Sequence, residues 1–217
     1  MSASATPVTL AAGEGDVAAL TVDDGPHGPL TDALLDLLAE FAVPAVFCVV
    51  GENVATDEGA RLVRRTVAEG HLLGNHAMTY ADLGGWSPER VEADLRRVNL
   101  LIGEALADPT PPVPYFRAPN GSWGRSAEVA VSMGMQPLGV VNTIDDWRTQ
   151  HVPTLVANLR AAIRPGELFV VHDGGGDRSG TLAALRVVLA ERLAQGWSFT
   201  LPAQPAAGRT GAFPTPH

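Results

Sequence analysis

The apolar run Val17 to Val22 stops abruptly at Asp23-Asp24-Gly25-Pro26, and this break constrains the fold more than any other stretch of the chain. A short, continuously apolar segment bounded by turn residues reads as a strand buried on both faces, the kind found in parallel sheets. The two acids then sit at the strand's carboxyl end, where α/β proteins assemble their sites. Adjacent carboxylates repel one another unless a cation lies between them or one takes a proton, so the pair reads as a metal ligand beside a general base. The competing reading is an Asp-Gly turn that caps the next helix.

Short apolar runs go on alternating with helical periodicity, which is the βαβ pattern. Strands are predicted at Val17 to Val22, Ala45 to Val50, His71 to Gly74, Tyr115-Phe116, Gln136 to Val141, Leu168 to Val171 and Trp197 to Leu201. Helices are predicted at Thr31 to Phe41, Asp57 to Glu69, Pro88 to Leu106, after Ser126, at Val152 to Ile163 and at Thr181 to Ala194. Thr31 and Ser87 read as N-caps, the latter followed by Pro88 at the first helical position. Such units close as a barrel or lie open as a doubly wound sheet, and periodicity alone does not choose. A chain of 217 residues suits one domain, expected over 16–201, with mobile segments expected at 1–15 and in the Pro, Ala and Gly-rich 202–217.

The formal net charge is −9, and all fifteen cationic side chains are Arg. That balance argues against nucleic acid or an anionic membrane as partner. Cys48 is the single cysteine, has no internal disulfide partner, and reads as a small core residue. The start, Met1 to Pro7, has neither a positive n-region nor an apolar h-region, and no later stretch is long and apolar enough to span a bilayer. A soluble, cytoplasmic protein is the expectation.

What favours a barrel is that the unusual polar residues fall just past successive strands. Gly74-Asn75-His76 through Tyr80 and Asp82 follow the third, Arg117-Ala118-Pro119-Asn120-Gly121 the fourth, Asn142 through Asp146-Trp147 the fifth, and His172-Asp173-Gly174-Gly175-Gly176-Asp177-Arg178 the sixth. A barrel gathers such ends around one pocket. In order, these strings resemble the motifs of the polysaccharide deacetylases of the NodB homology type, carbohydrate esterase family four. Thr21-Val22-Asp23-Asp24-Gly25-Pro26 is similar to T-F-D-D-G-P, His76 through Tyr80 to H-S/T-x-x-H, Arg117 through Gly121 to R-x-P-x-G, Asp146-Trp147 to the end of D-x-x-D-W, and Leu168 through His172 to L-x-x-x-H. The resemblance runs from Val17 to Leu201 and implies an α/β fold, an incomplete, distorted (β/α)7 barrel.

It also implies metal-dependent removal of acetyl groups from an N-acetylated amino sugar, oligosaccharide or small glycoside, hydrolysis of a C–N bond other than a peptide bond. Carried over by position, Asp23 would be the base, Asp24 and His76 metal ligands, and His172 the acid that protonates the departing amine. Arg117 would orient Asp23 and Asp146 would hold Arg117. The Asn120 N–H would face the developing oxyanion, and Pro119 and Gly121 would shape the backbone beside the substrate. Trp147 and Leu168 would line the acetyl pocket, although taken alone they read as ordinary core. The implied cofactor is a divalent ion, Zn2+ first, with Co2+, Mn2+ or Ni2+ as alternatives.

One departure stands out: Tyr80 occupies the place of the motif's second histidine. Three outcomes stay open. Asp24 and His76 hold the metal with water completing the shell, Tyr80 coordinates as a phenolate, or the site is metal-free or repurposed; Asp82 is a possible substitute ligand. Asn120 stands where an aromatic is common, which would open the subsite. Alternative functions are hydrolysis of another amide or a cyclic imide, or binding without catalysis on a degenerate barrel. His71 and His151 read as structural histidines, and Gly174 to Arg178 as a loop rim.

Overall fold

A computed structural model describes residues 5–203. In chain order the elements are β1 (Val17–Asp23), α1 (Gly28–Phe41), β2 (Ala45–Val49), α2 (Gly51–Val54), α3 (Asp57–Ala68), β3 (Leu72–Asn75), α4 (Pro88–Leu106), β4 (Tyr115–Phe116), a 3-10 turn (Pro119–Gly121), α5 (Ser126–Ser132), β5 (Gln136–Pro137), α6 (Val152–Ala162), β6 (Glu167–His172), α7 (Ser179–Ala194) and β7 (Ser198–Thr200). All strand pairings are parallel, in the order β5-β4-β3-β2-β1-β6, with β7 added to the first half of β1. The sheet curls with helices outside it, and this is the incomplete, distorted (β/α) barrel that the sequence leads one to expect.

Alternation along β1 explains how the barrel is filled. Val17 and Ala19 face inward with Val46, Cys48, Tyr115, Leu138 and Leu168, while Ala18, Leu20 and Val22 join the larger core under the helices. Continuing that alternation through Thr21 puts Asp23 inward at the carboxyl end of the barrel, in register with Cys48 on one side and His172 on the other. The helices supply the outer layer: Leu34, Leu35, Leu37 and Leu38 of α1 are all buried.

Between β5 and β6 the barrel is not closed by a ladder, and the chain's own start fills the lower part of that seam. Val8 N–H donates to the Pro137 carbonyl, Leu168 N–H to that of Thr9, Ala11 N–H to that of Gly166 and Ala12 N–H to that of Leu201. Residues 8–12, within the segment expected to be mobile, thus place backbone groups against strand ends. Most of the segment expected to be mobile at 202–217 lies outside the described residues, as do residues 1–4; Ala203 N–H donates to the Leu10 carbonyl.

Ser87 caps α4, accepting the Arg90 N–H at 3.3 Å. The expected cap at Thr31 is corrected. Pro29 lets α1 begin earlier, at Gly28, and the buried Thr31 hydroxyl instead accepts the His27 N–H at 2.7 Å and donates to Asp173 Oδ2 at 2.6 Å. No helix among the described residues is long and apolar enough to cross a membrane.

Candidate active site

The ends of β1, β3, β4 and β6 meet at one mouth. Seven described non-glycine residues have positive φ; Ala42 and Ala107 end helices, whereas Asp24, Ala77, Asn120, Asn142 and Asp145 follow strand ends. Left-handed backbone at ordinary residues costs on the order of 1 kcal/mol or more each and collects where a site imposes it. Here it turns the chain after β1, β3, β4 and β5, next to the residues that face the mouth.

Asp23 lies at the centre. Arg117, fully buried, donates from one terminal nitrogen to Asp23 Oδ1 at 2.7 Å and from the other to the Gly139 carbonyl at 3.0 Å. Burial works to raise the Asp23 pKa, but Arg117 first, then His76 and His172, outweigh it and hold the carboxyl below the usual range. A base kept ionised and fixed by a guanidinium is ready to take a proton. The Cys48 thiol is buried next to it, and burial together with the Asp23 charge pushes that thiol far up.

His76 Nδ1 lies 2.8 Å from the Arg117 carbonyl, which can only accept, so Nδ1 carries the proton and Nε2 is turned toward the acids. Nε2 is 3.5 Å from Asp24 Oδ1 and 4.0 Å from Asp23 Oδ2. An imidazole whose far nitrogen is anchored on a carbonyl, facing a carboxylate, is the donor set that suits a divalent ion such as Zn2+ or Co2+. Among the described residues no three His, Cys, Asp or Glu side chains converge as a metal site. The third position is bordered by Tyr80, whose hydroxyl lies 3.3 Å from the Asp24 main-chain oxygen and 3.4 Å from Asn53 Nδ2. Partial burial raises the Tyr80 pKa above its ordinary value, so it stands there as a neutral phenol. Asp82 points elsewhere, accepting from Asn120 Nδ2 at 2.9 Å.

Opposite them is His172, whose Nδ1 is 2.7 Å from Asp146 Oδ1 while its backbone N–H donates to Asp146 Oδ2 at 2.9 Å. Burial would lower the imidazole pKa, yet Asp146 first, then Asp23 and Asp24, carry it above the ordinary value. Asp146 therefore holds His172, not Arg117 as the sequence reading had it. Its loop packs against β6, and the guanidinium points into the barrel, where Gly139 takes its second nitrogen.

Trp147 is 49% exposed and stands edge-on to His172, with ring centroids 5.4 Å apart. Leu168 is 0% exposed and paired in register with Ala19, four residues before His172, so it belongs to the inner core and not to the mouth. Counting by two from His172 places Val170 directly below it on the same face. Pro119 is buried in the 3-10 turn, Gly121 has φ +64°, and Asn120 donates from its side chain to the Tyr80 carbonyl at 3.0 Å, tying that turn to the loop bearing Tyr80. Sequence reasoning missed Asn53, Gln150, Thr181 and the role of Thr31, polar residues that carry no motif of their own.

Fold and mouth together describe a parallel (β/α) barrel with a buried carboxylate–guanidinium pair and two carboxylate–imidazole pairs on its strand ends. Residues 11–138 match the polysaccharide deacetylase family, and the chain belongs to that family. It is 36% identical over 190 residues to a chitooligosaccharide deacetylase of Bradyrhizobium sp. (strain ANU 289), covering 85% of this chain and 82% of the relative. It is 32% identical over 186 residues to a peptidoglycan-N-acetylglucosamine deacetylase of Bacillus cereus, covering 84% of both. A family 4 acetyl xylan esterase from Clostridium thermocellum, solved in complex with a cobalt ion, superposes with a TM-score of 0.76 at 28% identity, over 85% of this chain and 87% of that one. Metal dependence is general in the family.

Proposed function

We propose that this protein is a metal-dependent deacetylase that hydrolyses the acetamide of an N-acetylated amino sugar, as a monosaccharide unit, oligosaccharide or small glycoside. The observation that carries the reading is the placement of Asp23 and His172 on facing register positions of β1 and β6, each held by its own partner of opposite charge, beside the Asp24–His76 pair. The chitooligosaccharide and peptidoglycan-N-acetylglucosamine deacetylases among its relatives point to the same substrate class.

Asp24 and His76 would hold the divalent ion, Zn2+ first, with Co2+, Mn2+ and Ni2+ as alternatives. When bound it would polarise the acetyl carbonyl and acidify water. Tyr80 is neutral and engaged with Asp24's main chain, so it borders the ion's surroundings without supplying an anionic ligand.

In the mechanism, Asp23 takes the proton of the attacking water, with Arg117 keeping its carboxylate ionised and aimed. The Asn120 backbone, in the turn fixed by Pro119 and Gly121, faces the oxygen on which charge develops. His172, protonated on both ring nitrogens, gives Nδ1–H to Asp146 and presents Nε2–H to the departing nitrogen, delivering the proton without which an amine is a poor leaving group and returning to the neutral imidazole. Trp147, beside that imidazole, forms the wall against which the acetyl methyl rests.

The test is acetate release from N-acetylglucosamine oligomers by the Zn2+-loaded protein. Turnover is expected, with a loss of about 10²–10⁴-fold in Asp23→Asn while the fold is retained. No acetate from any acetylated sugar with Zn2+, Co2+ or Mn2+ overturns the proposal.

A further inference from the structure

Arg178 ends the glycine-rich loop after β6, and its side chain turns inward until only 6% of it is exposed. A guanidinium taken out of water normally meets a carboxylate. Among the described residues Arg178 lies in no ion pair within 4.0 Å. Its partners are three main-chain carbonyls, those of Asp177 at 2.9 Å, Gly175 at 3.2 Å and Asp146 at 3.4 Å, and its Nε is buried without a partner. A buried cation whose hydrogen bonds go to carbonyls is expensive to place, so what it fixes matters.

The carbonyl of Asp146 is held a second time, by Gln150 Nε2 at 2.6 Å. Gln150 Oε1 accepts the Thr181 N–H at 3.0 Å, and the Thr181 hydroxyl is 3.3 Å from Asp146 Oδ2. Gly180 permits this approach, since any side chain there would overlap the Gln150 carbonyl. Asp146 is thus gripped by its main chain and its carboxylate from the first turn of α7, just after Asp145, whose backbone is left-handed with φ +58°. The Asp146 carboxylate, in a fixed rotamer, accepts the Nδ1–H of His172 and favours the imidazolium, whose Nε2–H is left for proton delivery.

We propose that Arg178, together with Gln150 and Thr181, is a positioning residue for proton transfer, acting on His172 through Asp146 and touching no substrate. The proposal rests on His172 being the proton donor assigned above. It separates two kinds of substrate. An acetamide needs a proton at nitrogen before the bond breaks, whereas an aryl acetate expels a leaving group stable as its anion, so a disordered His172 harms the first far more than the second.

The experiment compares Arg178→Met with the wild type on N-acetylglucosamine oligomers and on 4-nitrophenyl acetate, both proteins loaded with Zn2+. Expected is a fall of about tenfold in kcat for the amide with KM within about twofold, and a fall of less than about threefold for the ester. Proton NMR of the substrate-free protein should show the downfield Nδ1–H signal of His172 in the wild type and its loss through exchange in Arg178→Met. Thr181→Val, which deletes one hydroxyl and spares the buried guanidinium, should show the same amide-selective loss at about threefold, so the answer does not depend on Arg178→Met folding. Equal losses on amide and ester, or an unchanged His172 signal in the folded variants, overturn the positioning role. A wild type inert toward acetamides overturns the function proposed above, and the NMR comparison still decides the present inference.

Discussion

The two halves of the barrel mouth are built differently. On the β6 side, His172 is fixed by Asp146 through two hydrogen bonds, and Asp146 is itself held by Gln150, Thr181 and Arg178. On the β3 side, the His76 ring has one anchoring contact, to the Arg117 carbonyl, and its backbone N–H donates to that of Val49; Asp24 faces it across 3.5 Å, and the neighbouring Tyr80 is 38% exposed with hydrogen-bond distances of 3.3 and 3.4 Å. Proton transfer tolerates little error in distance or angle, and an imidazole ring does not order its own surroundings. A dication attracts and orders its ligands by charge. The protein spends hydrogen bonds where the chemistry supplies no order of its own, and few where a cation would supply it.

The sharpest way to break this comparison is to remove His76. In His76→Ala the β3 side keeps only Asp24, and Zn2+ affinity should fall by more than the roughly 100-fold that loss of an outer partner costs. Elemental analysis and titration read this directly; near-stoichiometric metal in the variant would show that the ion sits elsewhere. In the wild type the same pair predicts a pH dependence. Burial opposes protonation of His76, but Asp23 and Asp24 carry its pKa above the ordinary imidazole value. Below that raised pKa a metal must displace a proton, so affinity climbs about tenfold per pH unit and levels off above it.

A smaller effect sharpens the comparison. Tyr80→His puts an imidazole where the sparse side has a neutral phenol, and Zn2+ affinity should tighten by roughly 10–100-fold, whereas Tyr80→Phe should leave it within about threefold. Unchanged affinity in Tyr80→His would place position 80 beyond reach of the ion. A large loss in Tyr80→Phe would show that the phenol coordinates after all.

The same division marks what the sequence could reveal. Strand ends were legible because β1 is apolar throughout and breaks at charged residues, and because apolar runs and helical stretches alternate at regular spacing. Which end meets which is not: the resemblance implies that Asp146 holds Arg117, and only the loop path shows that His172 lies nearer. Leu168 was placed at the mouth from a motif, although counting by two from His172 selects Val170. Gln150 and Thr181 lack charge and motif, and their importance exists only once α7 packs on the Asp146 loop. The start of the chain had too few residues to show a period, so its place in the seam between β5 and β6 could not be read.

The smallest effect concerns Asp173, which stands where the two halves touch. Its carboxylate is buried; Thr31 donates to Oδ2, and Oδ1 has no partner. Burial first, and then the charge of Asp24, push its pKa up to about 7 from 3.8. Between those values the unfolded chain has released a proton that the folded chain keeps. The folded state then binds more protons, and stability falls as pH rises through that window. Asp173→Asn preserves the shape and the acceptor for Thr31 while removing the ionisation. At pH 8 it should be more stable than the metal-free wild type by at least about 1 kcal/mol, a rise in Tm of roughly 2–4 °C, and at pH 4 the difference should vanish. Zn2+ should close most of the gap in the wild type, because a dication beside Asp24 favours the ionised Asp173, and should not do so in His76→Ala. A gap that is the same at both pH values, or indifferent to Zn2+, would show that Asp173 is not coupled to the cation side of the mouth.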